Sequence, residues 1–392
     1  MGDIYGNATL TFAAATASSE NGRILAERDP SAGPFTLDLK LQGLGTLTIG
    51  IRRRSHQLGT ENQGGDYGRV STRAWIWQER LLSARTVFFT PLALKFECHR
   101  HSVWEGFDQG VLGHSWSTQL DLSANSNQSW LRLVVEFMQR DITHPSDRLP
   151  AIDSVMGHIA KTTGWTPFWG VFQEHLIPSL AWVSRTRKAV SGKHAGRMNP
   201  GHYAPTWSWA SVDGEIEYTH ALSRGPLDEM DPVSFELEYR NLDRTVGSMI
   251  IVGKYVIGGI RCIITPNESY NPADERIGRY HYRYQVRVSG QHQDFPFDPD
   301  VALMPYSGDP TQPYTASVVR MPHGHTVPVS EWTGNCLVVL LARRKMKSVA
   351  ILLGASLRNP SGNMWERIGI SSGIAESVWS EEHVKKGPIK IG

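Results

Sequence analysis

Trp75 and Glu79 lie four residues apart in the stretch RAWIWQERLL, residues 73–82. In a helix, positions i and i+4 share a face, so the indole and the carboxylate stand together with Gln78 and Leu82 beside them. A carboxyl group against an indole is partly desolvated. Burial raises its pKa and suits it to acid–base work or to stabilising a developing cation. The same spacing also describes an amphipathic helix with its tryptophans in the core and its glutamate toward water. The residue pattern leaves both readings open.

Other chemistries find less support. GLGTLTIG (residues 43–50) begins Gly-x-Gly but has Thr48 where a third glycine belongs, and it lies between strands, not at a helix start. Cys98, His99, His101 and Glu105 are close in sequence, but in a strand Cys98 and His99 face opposite sides, and no second ligand pair lies nearby. WSWAS (207–211) is not the Gly-x-Ser-x-Gly elbow of acyl transfer. The basic stretch SRTRK (184–188) lacks interleaved aromatics, which argues against nucleic acid. We therefore expect no metal and no bound cofactor.

The elements that must position Glu79 follow from local patterns. Ile4, Tyr5 and Ala8 have helical spacing, and TLTFAA (9–14) reads as a strand. Alternation in FTLDLKLQGLGTLTIGI, with Gly43 and Gly45 between the halves, predicts a hairpin. A helix is predicted over 72–82, then strands at TVFFT and LALKFEC. Helices are predicted at WLRLVVEFMQRDI, DRLPAIDSVMGHIAKTTG and FQEHLIPSLAWVS, with Asp147 and Arg148 at a helix start, where an acidic group meets free amides. From 216 onward the chain reads as strands. In YAPTWSWASVDG, Trp207 and Trp209 alternate with Ser208 and Ala210 as on a strand with one aromatic face, which either packs the C-terminal region onto the helical one or binds a ligand, and Asp213-Gly214 reads as a turn. The expected fold is α+β: an α/β part at 1–105, a mostly helical region at 106–215 and a β-rich region at 216–392.

Composition sets outer bounds. With 392 residues the chain is long enough for two or three domains. A formal net charge of +2 creates no field favouring nucleic acid or an anionic membrane. Thirteen tryptophans serve core packing, carbohydrate stacking or interfaces, and composition does not choose among these. Three widely spaced cysteines, Cys98, Cys262 and Cys336, fit buried thiols in a reducing compartment. No run approaches the ~18 apolar residues of a membrane span. These features predict a cytoplasmic protein.

RAWIWQERLLSARTVFFT followed by LKFEC resembles the closing motif of the fungal heterokaryon-incompatibility (HET) domain. That motif falls here on Arg73, Trp75, Gln78, Glu79, Arg85, Phe88, Glu97 and Cys98. The opening residues 1–17 resemble an earlier segment of the same family, at Met1, Ile4, Tyr5, Ala8 and Ala14. SDRLPAIDSV (146–155), YAPTWSWASVDGEIEY (203–218) and WERIG (365–369) resemble the region that commonly follows the domain. The resemblance implies a protein of non-self recognition and programmed cell death in a filamentous fungus. It would act through contacts with a protein partner, such as another incompatibility protein, or through self-association.

HET domains are viewed as distantly similar to the Toll/interleukin-receptor (TIR) fold, whose enzymatic members cleave NAD with the glutamate of a Trp-x-x-x-Glu pattern. Trp75 and Glu79 match that pattern, the carboxylate standing to stabilise positive charge on the ribose as the nicotinamide bond breaks. The family's early strand and its Trp-Ile-Asp and Cys-Ile-Asn-Gln blocks do not occur here, and those would wall much of a nucleotide pocket. The expectation is a truncated domain, either natural or because Met1 is internal to a longer chain. As written, the chain is expected not to cleave NAD and to show self-association or low solubility through exposed apolar surface. A third expectation is a repurposed accessory protein of a fungal gene cluster.

Overall fold

The fold is taken from a computed structural model of the protein. It describes residues 1–15, 17, 24–25, 35–43, 45–51, 72–90, 93–98, 102–105, 126–185, 203–218, 233–269, 280–288, 293–306, 317–321, 331–344, 347–357, 364–380 and 382–392. The chain divides into two compact units, Met1–His158 and Ile159–Gly392. The division follows packing, whereas the boundaries drawn at 105 and 215 follow changes in secondary-structure character. No described helix is long and apolar enough to cross a membrane.

The first unit opens with a short helix α1 (Gly2–Gly6) and strand β1 (Thr11–Ala13). The predicted hairpin forms from β2 (Phe35–Leu41) and β3 (Gly45–Ile51), paired in register with Leu37 opposite Ile49 and Leu39 opposite Leu47. Gly43 and Gly45 take φ of +83° and +91°, the left-handed region that a side chain disfavours. Helix α2 (Ala74–Leu82) leads into β4 (Arg85–Phe89), β5 (Leu94–Cys98) and β6 (Ser102–Trp104).

The sheet order is β1-β4-β5-β6, with β1 parallel to β4 and the rest antiparallel. Two parallel neighbours need a crossover, and α2 lies on it, so Glu79 sits on the helix of a strand–helix–strand unit. Helix α3 (Ser126–Phe137) and helix α4 (Pro150–Thr163) follow. Proline opens α4, where its missing N–H costs nothing. Asp147 ends a single 3-10 turn, Pro145–Asp147, just ahead of that start.

The second unit is dominated by a twelve-stranded sheet. Its longest strand, Ser248–Pro266, pairs with Lys385–Ile391 along its first half and with Trp332–Arg344 along its second. Trp332–Arg344 pairs with Lys347–Ala355, that strand with Trp365–Ala375, and Trp365 with Ile391, so the pairing returns to its origin and closes a ring of five strands. Closure removes the free edges those strands would otherwise present. Near-continuous apolar runs such as Val338–Ala342 and Val349–Leu353 are buried on both faces.

Two local expectations are corrected. FQEHLIPSLAWVS does not form one helix: a 3-10 turn (Gln173–His175) leads to a four-residue helix, Leu176–Ser179, and Val183–Ser184 is a strand. Pro178 removes one helical donor and stops propagation. WSWAS is not a strand either. Trp209–Ser211 is a 3-10 turn whose preceding Ser208 side chain accepts a hydrogen bond from the Ala210 amide. That local serine bond competes with a sheet ladder. The Asp213-Gly214 turn expectation agrees with the φ of +107° at Gly214, with Asp213 half-buried.

Candidate functional site

Three sets of contacts hold α2 in place. At its start, the amide of Ala74 donates to the carbonyl of Asp141 (3.0 Å) and the amide of Asp141 to that of Thr72 (2.7 Å). In its middle, Trp77 meets Phe137 edge-on with ring centroids 5.2 Å apart. At its end, the Ser83 hydroxyl donates to the carbonyl of Glu79 (2.7 Å) and lies 2.9 Å from the Thr11 hydroxyl of β1. Trp77, Gln78 and Leu81 are buried, while Trp75 and Glu79 are half-buried on a side that faces outward.

Helix α1 comes close to this side. A Cβ on Gly2 would fall 2.7 Å from the Cβ of Ser154, so glycine permits the approach. The Tyr5 side chain comes near enough to the Glu79 carboxylate for the two to affect each other's titration. Burial raises the Glu79 pKa against the opposing pull of the Tyr5 hydroxyl and the Arg73 charge. Tyr5 is pushed up to about 12 by burial and by the adjacent carboxylate, so it stays a donor at neutral pH. A half-buried carboxylate with one phenol and one cation nearby and an indole four residues away can hold a proton or stabilise a cation.

Behind this face lies a buried charge cluster. Glu97 on β5 accepts two hydrogen bonds from Arg80, at 2.9 and 2.7 Å, and one from Lys95. Burial by itself would raise Glu97, but Arg80 and Lys95 together outweigh it and hold the carboxyl below its ordinary value. The Arg80 guanidinium also lies 4.9 Å from the centre of the Phe88 ring. On α3, Glu136 accepts from Trp77 Nε1 and from Arg140 Nη2 (2.9 Å). Burial pushes it up to about 7 despite Arg140, Trp77 and Arg80.

The sequence-predicted residues thus divide. Arg73, Trp75 and Glu79 share the outward side of α2, whereas Gln78 lies inside with no hydrogen-bond partner for either amide atom among the described residues. Arg80, Glu136 and Tyr5 were not singled out as site residues. A glutamate inside the apolar run WLRLVVEF, with arginine four residues on, is the signal that could have found Glu136. Tyr5 had no local signal, because its partner is distant in sequence.

Trp207 and Trp209 belong to the second unit and are buried, which rules out an open aromatic ligand face there. Trp209 Nε1 donates to the carbonyl of Gly170 (2.7 Å), Trp207 Nε1 to that of Gly247 (2.8 Å), and Trp182 Nε1 to that of Trp207 (3.0 Å). Gly170 has φ +84°, and a Cβ there would sit 2.8 Å from the Trp209 ring. Arg367 of WERIG is fully buried over the Trp182 ring, 3.7 Å from its centre. It donates to the carbonyls of Leu180 (2.7 Å) and Trp182 (2.6 Å) and to Asp300 Oδ1 (3.1 Å). Burial raises Asp300 and lowers Arg367, opposing the attraction between them.

Among the described residues no group of three or more His, Cys, Asp or Glu side chains could hold a metal ion. Cys98 is half-buried and Glu105 accepts from the Leu94 amide (2.8 Å), while His99 and His101 lie outside the described residues, as does most of the SRTRK stretch. No disulfide joins the three cysteines, and burial pushes the Cys262 thiol up to about 12, away from nucleophilic use. Comparison with protein-family models, with curated proteins and with solved structures found no match.

Proposed function

We propose that this chain is a heterokaryon-incompatibility-type protein, acting in the cytoplasm of a filamentous fungus in non-self recognition and cell death through contacts with a protein partner. One observation carries the reading. Tyr5 and Glu79, from two separate blocks of the family resemblance, come close enough to affect each other's titration. Two blocks that match by chance have no reason to meet. The parallel β1–β4 pair joined through α2 supports a distant likeness of the first unit to the TIR fold.

The test is inducible expression of the full chain in a filamentous fungus. Hyphal growth arrest and cell death are expected, and they persist in Glu79→Gln because the action is by contact. Normal growth at a verified protein level would replace this reading with that of a repurposed accessory protein.

A second reading, NAD cleavage through Glu79, is favoured by the half-buried carboxylate beside Trp75 with its raised pKa. Under the primary reading, the purified chain releases no nicotinamide from NAD. Release that disappears in Glu79→Gln, together with loss of toxicity, would make the enzymatic reading the better one.

A further inference from the structure

Among the described residues, nothing covers the aliphatic face of the β2–β3 hairpin. Cross-strand partners share a face, so Leu37 with Ile49, Leu39 with Leu47, and Leu41 form one side of the ribbon. These five side chains are 36–48% exposed, although they are the hairpin's apolar side. Thr36, Asp38, Lys40, Thr46 and Thr48 form the other side, where the Thr48 hydroxyl donates to Asp38 (2.6 Å). Among the described residues the hairpin pairs with no other strand, so there the outer edge of β2 is unpaired. A two-stranded hairpin alone is marginally stable in water, and a free apolar edge is a template for another strand.

The sequence of β2 identifies the strand that fits. TLDLKL reads Leu37-Asp38-Leu39-Lys40-Leu41 around Leu39. If a second β2 runs antiparallel to it about a two-fold axis at Leu39, each residue meets the one whose number completes a sum of 78. Leu39 then faces Leu39, Leu37 faces Leu41, and Asp38 faces Lys40 twice. All leucines fall on one side, and both charges find an opposite charge.

The neighbouring registers fail. An axis at Asp38 sets two carboxylates against each other, and an axis at Lys40 sets two ammonium groups together. An axis between residues puts the leucines of the two copies on opposite faces. We infer that β2 is a self-pairing edge: two copies of this chain join through β2 into a four-stranded sheet, in the register that centres on Leu39. The inference goes beyond the proposed function and stands or falls without it. The two-fold contact is isologous and closes at two chains.

The test uses the full chain and its oligomeric state by analytical ultracentrifugation across the micromolar range. The wild type is expected to dimerise. Lys40→Asp and Asp38→Lys each replace two opposite-charge contacts with two like-charge ones, and each weakens the dimer roughly 10-fold or more. The double variant Asp38→Lys/Lys40→Asp restores the complementarity and should restore the dimer. Circular dichroism of each variant checks that these exposed substitutions leave the fold intact.

A covalent readout tests the register. In Leu39→Cys the two Cα atoms would stand about 4.5–5.5 Å apart, within disulfide reach. In Leu37→Cys the two copies of residue 37 would be about 13 Å apart along the strands and would not link. Oxidation should give a linked dimer for Leu39→Cys alone, against a wild-type control in which Cys98 is half-buried and Cys262 and Cys336 are buried. A monomeric wild type, an assembly indifferent to both single reversals, a swap that does not recover the dimer, or equal linking at 37 and 39 would each overturn the inference.

Discussion

In the first unit, Glu97 draws Arg80 and Lys95 together and Glu136 lies between Trp77 and Arg140, while Glu79, on the same helix as Arg80, stands half in water. In the second unit, Arg367 and Asp300 are completely enclosed, and the remaining guanidinium donors go to the carbonyls of Leu180 and Trp182. The first arrangement leaves titratable groups with opposing influences and a route to solvent. The second ties an ion pair and three indole N–H groups into backbone carbonyls. A network anchored in this way to backbone carbonyls specifies packing, whereas one with groups near their titration range can respond to a ligand or to pH. The difference explains why α2 carries the candidate site and why the tryptophan-rich segment, despite its aromatic density, is architecture.

The sharpest way to break this comparison is at Arg367. Burial opposes both charges of its pair, so the pair's value is in geometry, and removing one partner strands the other. Arg367→Ala is expected to destabilise the chain by about 3–5 kcal/mol, because Asp300 and two carbonyls lose their donors inside the protein. Arg367→Met with Asp300→Leu should recover much of that loss, since neither charge is then left alone. Chemical denaturation of the three proteins gives the comparison directly. A loss below about 1 kcal/mol for Arg367→Ala would mean that the enclosure is looser than the geometry requires.

How far the chain could be read without its structure follows the same division. Helix α2, the hairpin, β4, β5 and α4 repeat apolar residues at periods set by their own backbones, so neighbouring residues carry the signal. The strand–helix–strand placement of Glu79 was legible for that reason. Tyr5 against Glu79, and Arg367 against Trp182 and Asp300, join residues far apart in the chain, and no local pattern encodes such a meeting. WSWAS misleads because alternating indoles are as useful to a serine-capped turn as to a strand. What decides is where each indole N–H finds a carbonyl, and Gly170 and Gly247 lie outside the motif. The hairpin's alternation was read correctly, yet only the exposed leucines show that its apolar side lacks a cover among the described residues.

A finer probe of the first unit is the pH dependence of Glu136. Burial raises its carboxyl from the ordinary 4.5 to about 7, so between these values the folded chain binds a proton that the unfolded chain has released. Stability from this group is therefore fully present below about pH 4.5 and is lost as pH rises through about 7. Glu136→Gln has no such proton. The stability of wild type relative to the variant should fall across that window, by on the order of 2–3 kcal/mol. Melting curves of both proteins between pH 4.5 and 8 read the difference and cancel the titrations they share. A difference that rises with pH would mean that Arg140 and Trp77 outweigh burial and that Glu136 is an ordinary ion-paired carboxylate.

The smallest expected effect concerns the contact on which the functional reading rests. Tyr5→Phe removes one hydroxyl and keeps the ring, so the cost in stability should be at most about 1 kcal/mol, the size of one polar contact between partly exposed groups. The informative quantity is the titration of Glu79. Its pKa is already raised by burial, with the Tyr5 hydroxyl and Arg73 holding it down. Without the hydroxyl only Arg73 remains to oppose burial, so the Glu79 midpoint should move further up, and Arg73→Gln should move it in the same direction. Carbon-detected NMR of the Glu79 carboxyl follows both. The raised folded pKa makes the stability due to Glu79 largest at low pH and smaller as pH passes through the midpoint, and Tyr5→Phe should carry that loss to higher pH. An unmoved midpoint in Tyr5→Phe would mean that α1 does not hold Tyr5 against Glu79 in solution. The meeting of the two sequence blocks, and the functional reading built on it, would then lose its support.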